Sequence, residues 1–92
     1  MLAARNPERL AADASDLNLR YNTEVQVLGI DILQTESFAS VYASLNPQPD
    51  VVCMMVGLLG EHAAAEADSG KAKLLMDSNY TGPSLFLLEA AR

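Results

Sequence analysis

The chain predicts an α/β fold built on a doubly wound parallel sheet, and three observations carry that prediction. Strand-like and helix-like segments alternate along the 92 residues, and such alternation implies parallel strands joined by helical crossovers. Val51 to Val56 is an uninterrupted apolar run, the pattern of a strand buried on both faces. The helical segments carry apolar stripes and are bounded by Asn, Thr, Pro or Gly.

Taken in order, Leu2 to Ala4 is short and apolar and reads as the first strand present. Asn6-Pro7 then opens a helix, Asn as cap and Pro at a position whose N–H has no partner in any case. Leu10, Ala14, Leu17 and Tyr21 follow at i, i+4, i+7 and i+11 and make one face, and Asn22-Thr23 ends the helix. Glu24 to Ile30 is rich in β-branched residues and becomes apolar on both alternate faces, as in a strand covered on both sides. Thr35 is placed to cap a second helix with a stripe of Phe38, Val41, Tyr42 and Leu45, stopped by Asn46-Pro47-Gln48-Pro49. Val51 to Val56 is the next strand, closed by Gly57 and Gly60. Ala63 to Ala67 reads as a short helix or part of a loop. From about Lys71 to Arg92 a longer helix is expected, with Leu74, Ser78, Thr81, Leu85, Leu88 and Ala91 on one side and a bend at Gly82-Pro83.

Half of the residues are hydrophobic and 20% are charged, which suits a packed core and one small domain over residues 1–92. The net charge of −6 argues against nonspecific nucleic-acid binding, which needs surplus Lys and Arg, and against an anionic membrane surface. Val51–Val56 is far shorter than the roughly 18 apolar residues of a spanning helix. Arg5, Glu8 and Arg9 break any signal-peptide pattern. A lone cysteine, Cys53, excludes an internal disulfide and fits a reducing compartment, so a cytoplasmic location is expected. Cys53 reads as an inert core thiol and His62 as a loop residue with no acid or metal partner. No metal site is expected, since these are the only soft ligands.

In open α/β sheets ligands bind beyond the carboxyl ends of the strands. That directs attention to Arg5, to Asp31-Ile32 and to Gly57. A guanidinium at the first position offers planar, permanently charged donors for a phosphate, although an exposed helix-flanking Arg is equally consistent with position alone. Asp31 is equally a turn or cap residue, and Asn79 a polar residue on a solvated helix face.

These segments together resemble the short-chain dehydrogenase/reductase family. Leu2-Ala3-Ala4-Arg5-Asn6-Pro7 is similar to the family's second strand and the start of its helix, and Gly29-Ile30-Asp31-Ile32 to the end of its third strand. Val51-Val52-Cys53-Met54-Met55-Val56-Gly57 is similar to the strand that ends Asn-Asn-Ala-Gly, and Ser78-Asn79-Tyr80-Thr81-Gly82 to the helix motif Val-Asn-x-x-Gly. The resemblance implies a partial Rossmann-like NAD(P)-binding domain, the second to fourth strands and their helices. It implies Arg5 at the 2′-phosphate of NADP in preference to NAD. Asp31 would take the adenine amino group, helped by the Ile32 backbone, and Gly57 would lie against the cofactor. Asn79 becomes a supporting catalytic residue that holds a water.

The match departs from the family where Met54 and Met55 replace the two Asn and Val56 the Ala. Methionines fill space but supply no amide hydrogen bonds. Tyr21, Tyr42 and Tyr80 also lack the family's Tyr-x-x-x-Lys spacing. The resemblance places the family's first strand, Gly-rich loop and Ser-Tyr-Lys residues outside this sequence. The chain is therefore expected to be an internal fragment of an oxidoreductase acting on a carbonyl or secondary alcohol, inactive alone. The alternative is a non-catalytic nucleotide-binding or protein-interaction remnant. Either way an oligomer, or a partner supplying the missing strand, is expected. The substrate is not legible.

Overall fold

Leu2–Ala4 (β1) and Val27–Gly29 (β2) pair in parallel, Leu2 opposite Val27, Ala3 opposite Leu28 and Ala4 opposite Gly29. Two further bonds frame the ladder, Leu2 N–H to the Gln26 carbonyl at 2.8 Å and Ile30 N–H to the Ala4 carbonyl at 3.0 Å. The computed structural model describes residues 1–92, and the chain divides into two units, Met1–Asp31 and Ile32–Arg92.

The first unit is a β-α-β element. Pro7–Leu10 forms a 3₁₀ turn that leads into α1, Ala11–Tyr21. Asn6 makes no side-chain cap; its carbonyl accepts the Arg9 N–H at 3.1 Å instead, because the tighter 3₁₀ turn satisfies the donor through backbone. Leu10, Ala14 and Leu17 are half-buried as the stripe predicts, whereas Tyr21 is exposed. The helix ends where Asn22 takes a left-handed φ of 48°, a conformation Asn tolerates better than most residues. Asn18 Nδ2 donates to the Thr23 carbonyl at 2.8 Å and ties down that exit. β2 is shorter than the predicted Glu24–Ile30, and Val27 and Gly29 on it are exposed. The expected two-sided cover is not there, since a three-pair ladder gives the flanking residues no neighbour to pack on.

The second unit is helical. A 3₁₀ turn, Thr35–Ser37, precedes α2, Phe38–Ala43. Thr35 does not cap it; the Ser37 hydroxyl instead bonds the Gln34 carbonyl at 2.7 Å. The predicted stripe holds: Phe38 and Leu45 are buried, Val41 and Tyr42 half-buried. His62–Ala67 is α3. Ser69–Met76 is α4, whose cap Asp68 accepts the Gly70 N–H at 2.8 Å. The chain continues through a π turn, Asp77–Thr81, into α5, Gly82–Ala91.

That π turn is the bend expected at Gly82-Pro83. Pro83 has no N–H, and its ring would crowd the Asn79 carbonyl in a regular helix. The wider turn lets Gly82 N–H reach the Asp77 carbonyl, five residues back. The extra residue rotates all that follows by about one helical position. Of the expected stripe Ser78 is buried and Thr81 half-buried, Leu74 is exposed, and beyond the turn Leu85, Leu88 and Ala91 are exposed while Gly82, Pro83 and Phe86 are buried. Phe86 meets Phe38 edge-on with centroids 5.4 Å apart and Tyr42 at 6.1 Å, the geometry aromatic quadrupoles favour.

The predicted strand Val51–Val56 is corrected. It takes no regular secondary structure, and the sheet has two strands only. Val52 and Met54 are half-buried, while Val51, Cys53, Met55 and Val56 are exposed. Cover on one side only also overturns the buried reading of Cys53. An apolar run reports that both faces tolerate burial, not that a neighbouring strand exists to bury them.

Candidate functional site

The sequence-predicted positions fall into two groups. Arg5 and Asp31 lie in the first unit and Ile32, Gly57 and Asn79 in the second.

Arg5 directly follows β1, and Asp31 stands two residues past the end of β2. The two strands run parallel in a shared register, so both residues are at the same carboxyl edge, on neighbouring strands. The Ile30 N–H to Ala4 carbonyl bond locks that edge one step beyond the ladder and fixes the bases from which both side chains project. Pro7 also packs here: a Cβ on Gly29 would stand 3.2 Å from Pro7 Cγ. Arg5 is exposed and takes part in no ion pair, whereas Arg20 is held by Asp16 at 3.0 Å and Arg92 by Glu89 at 3.3 Å. Its donors are open to an anion. Asp31 is half-buried.

In the second unit the structure brings Gly57 and Asn79 together. Asn79 Oδ1 accepts the Leu58 N–H at 2.7 Å, and Nδ2 donates to the Leu58 carbonyl at 2.9 Å. Nδ2 also donates to the Leu75 carbonyl at 2.9 Å. The amide thus pairs with one backbone residue as a neighbouring strand would, and a Cβ on Gly57 would lie 3.2 Å from Oδ1. Asn79 sits in the π turn, a feature frequent at functional sites. Both of its N–H donors are spent on backbone carbonyls, so its side chain serves to hold the loop.

Ile32 has a different neighbour. A Cβ on Gly82 would be 2.3 Å from the Ile32 carbonyl oxygen and 2.8 Å from Ile32 Cγ1, so only glycine lets α5 approach this residue. No local pattern announces that contact beyond a glycine in mid-helix.

Near Asn79, Lys73 Nζ donates to Asp77 Oδ2. The Lys73 ammonium holds the Asp77 carboxyl below its ordinary value of 3.8, and a hydrogen bond with Thr81 lowers it further. His62 opens α3 and meets Glu66 at 2.8 Å, one turn on, which corrects its reading as a loop residue without an acid partner. Two surface hollows lie elsewhere, about 240 Å³ beside Thr35, Phe38 and Leu88 and about 370 Å³ beside Ala14, Asn18 and Val25.

No family model, curated protein or solved structure matches the chain. No helix is long and apolar enough to cross a membrane. What the chain can bind therefore rests on its residues, and the open guanidinium beside a carboxylate at one sheet edge is the chemically distinctive arrangement among them.

Proposed function

We propose that the carboxyl ends of β1 and β2 hold the adenosine 2′-phosphate end of NADP. The chain is then part of a Rossmann-like domain of short-chain dehydrogenase type, contributing its second to fourth strand regions. One observation carries the reading: Arg5, unpaired and exposed, shares the carboxyl edge of two parallel strands with Asp31. The guanidinium supplies charge-assisted donors to the phosphate, and the carboxylate accepts from the adenine amino group. In a complete domain the cofactor would carry the hydride, its reduced form giving one to a carbonyl and its oxidised form taking one from a secondary alcohol.

A second reading, nucleotide binding without catalysis, is favoured by Asn79. Its amide is committed to Leu58 and Leu75 and has no donor left for a catalytic water. Met54 and Met55 in place of amides point the same way. The full chain should then bind nucleotide but show no NADPH oxidation with carbonyl substrates above buffer.

Calorimetry with adenosine 2′,5′-bisphosphate and with adenosine 5′-monophosphate tests the shared claim. The bisphosphate is expected to bind more tightly, and Arg5→Asp should lower its affinity roughly tenfold or more, the loss of a charge-assisted bond. Equal affinities, unchanged in Arg5→Asp, would reduce Arg5 to a surface residue.

A further inference from the structure

Of the six basic side chains, Arg20, Lys73 and Arg92 are each held by an acid one helical turn away. Arg5 and Arg9 are not, and they flank Pro7 four residues apart. Both are exposed, and the exposed Glu8 between them pairs with neither. For Arg9 the cause is local. Asp13 lies four residues on, the spacing that joins Arg20 to Asp16 on α1 and that brings side chains together on an α-helix. Pro7–Leu10 is wound instead as a 3₁₀ turn, with about three residues per turn, and the tighter winding carries Arg9 off the face that Asp13 occupies.

The same turn returns Arg9 to the sheet edge. Its N–H donates to the Asn6 carbonyl at 3.1 Å, which stacks it one turn over the residue that follows Arg5. The turn packs against both β1 and β2, with Pro7 seated on Gly29. Two guanidiniums thus border the carboxyl edge of the parallel pair, and neither is in an ion pair. Like charges at this spacing repel, an arrangement that favours an anion between them.

We propose that Arg9 is the second guanidinium of the phosphate site and the residue that matches it to a phosphomonoester dianion. This inference rests on the reading of Arg5 given above. A phosphomonoester carries a charge of about −1.5 to −2 at pH 7, so Arg5 alone leaves up to about one negative charge unmatched. A second planar fork balances it and engages the oxygens that the first does not reach. Arg9 then serves the 2′-phosphate alone, setting the selectivity for phosphorylated over free ribose and leaving the rest of the nucleotide to its other contacts.

Calorimetry of the full chain and of Arg9→Gln, Arg9→Lys and Arg5→Asp, with adenosine 2′,5′-bisphosphate and adenosine 5′-monophosphate, separates this inference from the reading beneath it. Arg9→Gln should bind the bisphosphate about tenfold more weakly, the loss of a charge-assisted bond, and the monophosphate within about twofold of the native chain. Arg9→Lys keeps the charge without the fork and should recover to within about threefold of native on the bisphosphate. Bisphosphate affinity unchanged in Arg9→Gln but lost in Arg5→Asp would overturn the role of Arg9 and leave that of Arg5 standing. Equal weakening of both nucleotides in Arg9→Gln would also overturn it, since Arg9 would then be supporting the edge and not reading the phosphate. Equal affinities for the two nucleotides in the native chain and every variant would overturn the phosphate site itself.

Discussion

The two units of this chain are held by different means. Met1–Asp31 has no buried residue; a short parallel ladder, the Asn18 tie at the end of α1 and the exposed Arg20–Asp16 pair give it form. Ile32–Arg92 has every buried residue: Phe38, Leu45, Ser78, Gly82, Pro83 and Phe86. Long-range side-chain contacts organise it, the aromatic trio, the Gly82 approach to Ile32 and the Asn79 clamp on Leu58. Backbone hydrogen bonds open to solvent open locally at low free energy, while packed aromatic clusters do not. The proposed binding edge thus lies on the lightly built unit, where ligand binding has the most to add.

The largest effect expected from that contrast is at Phe86. Phe86→Ala should destabilise Ile32–Arg92 by about 3–5 kcal/mol, the range for deleting a buried aromatic, and lower its thermal midpoint. Bond-by-bond exchange across β1 and β2 would stay as it is. If the ladder amides loosened equally, the two units would be one cooperative body and the contrast would fail.

Next comes Gly82→Val, whose side chain meets the Ile32 carbonyl where even a Cβ would stand 2.3 Å away. Overpacking of this kind costs about 1–3 kcal/mol, and chemical denaturation should show it. Asn79→Ala is expected to cost about 1–2 kcal/mol through two orphaned backbone groups. It should raise exchange at Leu58 selectively. Uniform loosening across α4 and α5 would mean that Asn79 holds the helix and not the loop.

The smallest effect is electrostatic. Asp77 is lowered by Lys73 and Thr81, so its folded value lies below its unfolded one. A depressed carboxyl stabilises fully above the unfolded value, about 3.9, and the gain disappears as pH falls through the folded value. Asp77→Asn should abolish the part of the acid-induced loosening at Asp77–Thr81 that a titration between pH 5 and pH 2, read by circular dichroism, reveals in the native chain. An identical acid limb in both proteins would remove Asp77 from the account.

Much of this was legible in the sequence, for physical reasons that differ by element. Leu2–Ala4, the α1 face and the stripe of Phe38, Val41, Tyr42 and Leu45 depend on local periodicity, and periodicity is written in the chain. The bend at Gly82-Pro83 was legible as well, but its form was not: a π turn shifts the register, which moved burial from Leu85 and Leu88 to Phe86. Val51–Val56 failed because strand identity requires a partner strand, and an apolar run does not state whether one is present. At the site, Arg5 and Asp31 were found by strand-end position and do share an edge. Asn79 was found for a water-holding role, whereas the structure uses its amide on Leu58, a pairing 21 residues apart that no local signal announces.

The most direct test of the account is a nuclear magnetic resonance titration of the full chain with adenosine 2′,5′-bisphosphate. Shift changes are expected to concentrate at Arg5, Asn6, Ile30 and Asp31, to weaken steeply with added salt because a phosphate contact is being screened, and to vanish in Arg5→Asp. Saturating shifts confined to the hollow beside Thr35 and Leu88, or no shifts at the ends of β1 and β2, would contradict it.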